Sequence, residues 1–188
     1  MRGTAVVGGF GAFAKKYGSA AVHEVYSRLS PIARHYVQPH ATNFGLLGTR
    51  SYPYPVVGEL LRTMCLVVRA NEDDFVRAIA TAAMEASLST VNRVVLRYLA
   101  SLSTLSARAQ EAWDLFHDSG RLRIVTRTDH EYVVEVSEWP NHDAMVCRLS
   151  MEGRRLLVEK TGIAAPELFR DKCQSWGQEV CVSRIRWK

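Results

Sequence analysis

No apolar run in these 188 residues approaches the roughly 18 to 20 that a membrane span needs. The strongest, Val94–Leu99 and Met64–Val68, are short and are interrupted or flanked by arginine. Met1–Phe13 carries an early arginine and small apolar residues but no long apolar centre, so it does not read as a signal peptide and a cytoplasmic location is expected. Four cysteines are too few for a disulfide scaffold, and in a reducing compartment they read as buried thiols or metal ligands. The formal charge of +5 is dispersed, with a mild concentration at Arg184, Arg186 and Lys188. No basic face interleaved with aromatics appears, and a nucleic-acid partner is not expected. Gly3–Gly9 could be a short strand or an extended lead-in, and Gly8-Gly9-Phe10-Gly11, which lacks the Gly-Lys-Ser/Thr ending of a phosphate loop, is read as a flexible turn. No linker, repeat or low-complexity tract divides the chain, so residues 1–188 are read as one domain.

What is present is a chain that is 47% hydrophobic and patterned first at the helical and then at the strand period. Val22, Val25, Tyr26 and Leu29 follow Ser19, a candidate N-cap. Ser30-Pro31 opens a second short helix through about Gln38. The Tyr52-Pro53-Tyr54-Pro55 corner is held extended by its prolines, and Val56, Val57, Leu60, Leu61, Met64, Val67 and Val68 then give a wide apolar helical face. Asn71-Glu72-Asp73-Asp74 caps a helix carrying Phe75, Ile79, Ala82, Ala83 and Ala86. Further helices are expected over Leu88–Leu99 and Ser103–Asp118, the latter stopped by Gly120.

After Gly120 the period changes. Leu122, Ile124 and Thr126, then Tyr132, Val134 and Val136, alternate as two strands joined near residues 128–131. A third strand is expected at His142–Leu149, a helix at about Ser150–Thr161, and a terminal hairpin turning at Gly177. The order predicts an α+β fold, with an N-terminal helical run packed on a mainly antiparallel sheet that a C-terminal β-hairpin closes.

That hairpin sets Cys173 and Cys181 symmetrically about Gly177, and Cys147 lies 25 intervening residues before Cys173. Three thiolates with one carboxylate or imidazole would fill a tetrahedral zinc shell. Buried apolar thiols are the other reading of the same residues. The six histidines are scattered outside any catalytic motif, and no enzyme is expected. Tyr52, Tyr54, Trp113 and Phe116 could line an apolar ligand cavity or serve as ordinary core aromatics.

Cys173-x3-Gly177-x3-Cys181 closing on a basic and aromatic strand, with Cys147 upstream, resembles the 4-vinyl reductase-like ligand-sensing domain. With the Tyr52-Pro53-Tyr54 corner, Trp113 before Phe116 and Gly120, and Trp187 after Cys181, the chain resembles more closely an uncharacterised myxobacterial paralogous family. The resemblance implies a distant relation to the haem nitric-oxide sensor fold and the trafficking-complex subunit fold, frequent dimerisation, and a hydrophobic cavity between helices and sheet. In zinc-containing members a glutamate ligand stands three residues before the second cysteine; this sequence has Arg170 there, so the fourth ligand would fall to Asp171 or Glu167. Haem is not expected, because Tyr26-Ser27-Arg28 lacks the Tyr-x-Ser-x-Arg spacing of the haem sensors. The function implied is a non-enzymatic sensor or regulatory domain that binds a small apolar ligand and signals to a separate output protein through a dimer or partner surface. A protein–protein interaction module without a ligand is the alternative, and a tetrapyrrole-related enzyme a third reading.

Overall fold

The computed structural model describes residues 1–88 and 101–188; the helix expected over Leu88–Leu99 lies, beyond its first residue, outside them. The chain opens not as a strand and flexible turn but as a 3-10 turn at Gly3–Ala5 followed by α1 (Val7–Arg28). The early glycines are contact residues. A Cβ on Gly8 would stand 2.3 Å from that of Ala86, and one on Gly9 would stand 2.7 Å from Ile79. They let α1 lie directly on α4 (Glu72–Leu88). The helical pattern that begins near Ser19 is the second half of α1, which breaks at Gly18 with φ +79°, a conformation that costs glycine little.

Ser30 caps the short α2 (Pro31–Arg34), its hydroxyl accepting from the Ala33 amide at 3.2 Å and donating to Glu59 at 2.9 Å. α3 (Tyr54–Val67) follows the proline corner and buries Val56, Val57, Leu60, Leu61 and Met64. Asn71 accepts from the Asp73 and Asp74 amides at the start of α4, where three acidic side chains meet the positive end of the helix dipole. The helix expected over Ser103–Asp118 is two pieces, α5 (Leu102–Ala107) and α6 (Ala109–Asp114), separated at Arg108.

Four strands form an antiparallel sheet in the order β1-β2-β4-β3: β1 (Arg121–Arg127), β2 (Glu131–Ser137), β3 (Glu167–Lys172) and β4 (Cys181–Arg186). Tyr132, Val134 and Val136 alternate inward on β2, as do Cys181, Ser183 and Ile185 on β4. The other face carries ion pairs, among them Arg123–Glu135, Arg184–Asp171 and Arg186–Glu131. The α+β expectation holds, with helices against one face of an antiparallel sheet.

The strand expected at His142–Leu149 is helix. α7 (Ala144–Lys160) starts at Ala144 because the Asp143 carboxylate accepts from the Met145 and Val146 amides at 2.9 and 3.2 Å. Met145, Val146, Leu149 and Ser150 are buried at helical rather than alternating spacing. α7 packs on α3 and α4 on one side and on β3 and β4 on the other. Almost all of the buried apolar side chains join in one cluster. No helix among the described residues is long and apolar enough to cross a membrane.

Candidate metal centre

The terminal hairpin opens between Lys172 and Cys181 into a loop rather than a tight turn. A 3-10 turn at Gln174–Trp176 is ended by Gly177 at φ +78°, in the left-handed region. This loop brings Cys173 and Cys181 to the same inner end of the sheet, with their sulfurs 4.0 Å apart. The first turn of α7 supplies Cys147, 4.0 Å from Cys173. That separation is about twice a disulfide bond, and all four cysteines of the chain are free.

The fourth group is His142. Its Nε2 lies 3.3 Å from the Cys181 sulfur and 3.7 Å from that of Cys173. The four ligand-type atoms all lie within 4.8 Å of one another. Bonds of about 2.3 Å to sulfur and 2.0 Å to nitrogen would give a tetrahedral ion with edges of about 3.8 Å between sulfurs and 3.5 Å from sulfur to nitrogen. The four contacting spacings, 3.3, 3.7, 4.0 and 4.0 Å, lie within a few tenths of an ångström of those edges, and the widest pair lies within 4.8 Å, so the four groups could hold a metal ion after a small inward shift.

Capping explains why His142 arrives there. With Asp143 as N-cap, His142 is the residue before the cap and Cys147 the fourth helical residue, two positions that a helix start brings into contact. A strand would have put these two side chains, five residues apart, on opposite faces. Asp171 instead holds Arg184 through two contacts of 3.0 and 2.6 Å, and Glu167 lies exposed at the far end of β3. Neither joins the three cysteines. Arg170, three residues before Cys173, stacks over Trp176 at 4.3 Å.

The cluster divides its protons unequally. Hydrogen bonding with Cys173 and Cys181, together with burial, pushes the Cys147 thiol far up. The same bonds hold the other two thiols below the ordinary range, against the opposing effect of burial. Burial disfavours charge on His142, but the hydrogen bond and charge of Cys181 outweigh it and raise the imidazole. Two thiols held below the ordinary range in a buried donor set lower the proton cost of taking up a divalent cation.

Beside this cluster runs a chain of aromatic contacts. The Trp139 ring stands edge-on to His142 at 5.0 Å and to Trp113 at 5.1 Å. Trp113 stacks on His117 at 3.5 Å. Trp113, Phe116 and His117 then line a partly open cavity of about 80 Å³ between α4, α6, the sheet and α7. Tyr52 and Tyr54 stand outside that lining. The Tyr52 hydroxyl accepts from the Leu47 amide at 2.7 Å, and the Tyr54 hydroxyl donates to Asp118 at 3.0 Å. His117 is a buried neutral histidine: burial foremost, then the charge of Arg154, lowers it well below its ordinary value. Its place beside Trp113 could have been found only from the four-residue spacing on one helical pattern.

No family model matches the chain, and no curated protein matches it. Solved structures do. An H-NOX protein from K. algicida in the Fe(II) unliganded state matches with a TM-score of 0.72 at 12% identity, over 100% of this chain and 97% of that one. An H-NOX protein from S. oneidensis in the Fe(II)NO ligation state gives 0.71 at 12% identity, over 100% and 99%. An oxygen-binding H-NOX domain related to soluble guanylate cyclases gives 0.66 at 12%, over 100% and 95%. The chain therefore has an H-NOX-like fold.

Haem, named for another neighbour of this fold, does not fit the cavity described. Its volume of about 80 Å³ is a fraction of the roughly 300 to 1,000 Å³ of ordinary ligand pockets. His117, the one histidine among the described residues of its wall, is engaged on both ring nitrogens, at 3.0 Å from the Ser150 hydroxyl and 3.5 Å from that of Tyr54.

Proposed function

We propose that this chain is a non-enzymatic sensor domain in which a zinc ion, held by His142, Cys147, Cys173 and Cys181, locks the wall of a small-ligand cavity. The reading agrees with the resemblance to the 4-vinyl reductase-like domain, with His142 taking the place of the missing glutamate. One observation carries it. α7 contributes Cys147 to the cluster and Leu149, Ser150, Gly153, Arg154 and Leu157 to the cavity, so the two sites share one rigid element. Zinc is the ion of choice for a soft donor set of three sulfurs and one nitrogen, and four protein ligands leave no open position for catalysis. The ligand's state would pass to a partner protein or a second copy in the cytoplasm.

The smallness of the cavity favours a second reading, an interaction module. Ile32 and Leu66, 71% and 68% exposed, would then be part of its working surface. Native mass spectrometry of the protein purified from its own host, followed by denaturation, separates the two. The sensor reading expects one zinc, a co-purifying small molecule and a dimer. A metal-free, unliganded monomer would overturn it.

A further inference from the structure

The cavity's wall is apolar except at a few points, and one of these is a cation. Arg154, two turns along α7 from Cys147, lines the cavity beside Trp113, with its guanidinium 5.7 Å from that ring. Its Nη2 donates to the Ser183 hydroxyl at 3.2 Å. Nε and Nη1 are shut off from solvent and have no hydrogen-bond partner. A guanidinium carries five donors in a rigid fork and stays charged in proteins. Burying such a group with donors unused costs several kcal/mol unless an anion meets it.

The metal cluster does not supply that anion by contact. Arg154 makes no hydrogen bond to the three sulfurs, and Ser183 is its hydrogen-bonded partner among the described residues. Ser183 takes one N–H of Nη2, so the edge that its other N–H shares with Nε or Nη1 is the one that can take both oxygens of a carboxylate.

We propose that the cavity binds a short monocarboxylate, its two oxygens on Arg154 and its apolar tail among Ala80, Met84, Leu105 and Trp113. The volume sets the scale. At about 80 Å³ the space is roughly half that of an engineered cavity that admits the six carbons of benzene, which suits an acid of about three or four heavy atoms. This deepens the sensing reading and rests on it: the sensed molecule would be a small organic acid rather than a neutral apolar one.

The test compares formate and acetate with formamide and acetamide, acids and neutral amides of nearly equal shape, by ligand-observed NMR titration of the zinc-loaded protein. The acids are expected to bind about 10- to 100-fold more tightly, the effect of hydrogen bonds to a buried charge. Arg154→Met should erase that preference while keeping one equivalent of zinc, and Arg154→Lys should keep part of it. Amides that bind as tightly as the acids would overturn the anionic head and leave the sensing reading standing. An acid preference that survives in Arg154→Met would do the same. If neither acids nor amides bind the wild type, the carboxylate inference falls, while the sensing reading stands or falls by the co-purifying molecule in native mass spectrometry.

Discussion

At the N-terminal end of α7 four donors face one another at 3.3 to 4.0 Å where neighbours are in contact, whereas two turns further along the same helix Arg154 faces a cavity with Nε and Nη1 unused. Both regions bury polar groups against the same sheet, yet one closes on itself and the other stays open. A cluster whose groups satisfy each other needs only an ion at its centre to become rigid, and it offers nothing to a second molecule. An unpaired buried cation stabilises nothing by itself, and its burial makes sense in a fold that meets an anion from outside. Closure marks the region that holds the structure together; openness marks the region that recognises something.

Removing a ligand from the closed region should have the largest effect. Cys181→Ala is expected to lose one equivalent of zinc, read by elemental analysis, and to destabilise the domain by about 3 kcal/mol or more in urea, because metal-binding free energy is folding free energy. Chelating the wild type should reproduce the loss, and chelation should not affect the variant further. A variant that is metal-free like its parent and only ~1 to 2 kcal/mol less stable would mark the sulfur as packing and dissolve the contrast between the two regions.

The second effect belongs to the cavity side and depends on pH. His117 is faced by Tyr54 from α3, Trp113 from α6, neighbouring Asp118, the Met1 amine, and Ser150 and Arg154 from α7. Its folded pKa lies well below the ordinary 6.5, so below pH 6.5 the unfolded chain binds a proton that the folded chain refuses. The stabilisation is complete above pH 6.5 and is lost as pH falls from there toward the folded pKa. The slope approaches about 1.4 kcal/mol per pH unit. Urea titrations of wild type and His117→Gln between pH 7 and 5 should differ by that slope. Parallel curves would show that His117 is not held neutral.

The sheet was legible because one face is wet: Tyr132, Val134 and Val136 alternate with Glu131, Val133 and Glu135, and the strand period follows. The helices of the N-terminal half were legible from their caps and apolar spacing, at Ser30-Pro31 and at Asn71. The three cysteines could be seen as partners, but His142 could not, since Met145, Cys147 and Leu149 mimic alternation over a few residues and conceal the helix start. Asp143 was the available signal, an N-cap directly before an apolar run. Gly8 and Gly9 were misread for a related reason. Glycine marks flexible turns and close helix contacts alike, and only the facing Ala86 and Ile79 distinguish them. Arg154 carries no local signal at all, because its isolation is a property of the packed cavity.

The smallest predicted effect tests how the closed region is assembled. Asp143 uses one carboxylate oxygen to cap α7 and the other to hold Arg62 at 2.8 Å. It can lie there because Gly58 of α3 has no side chain: a Cβ at that position would stand 2.1 Å from the carboxylate. Asp143→Ala should cost about 1 kcal/mol through the cap. It should also weaken zinc binding by about 10- to 100-fold, as the loss of an outer partner does when it orients a ligand, because the cap sets the angle at which His142 meets Cys147. Asp143→Asn keeps a capping oxygen while losing the charge opposite Arg62, and should hold zinc nearly as the wild type does. Competition with a chromogenic chelator measures all three proteins. If Asp143→Ala loses stability but no zinc affinity, the cap serves the helix alone, and the position of His142 is fixed by its edge-on contact with Trp139.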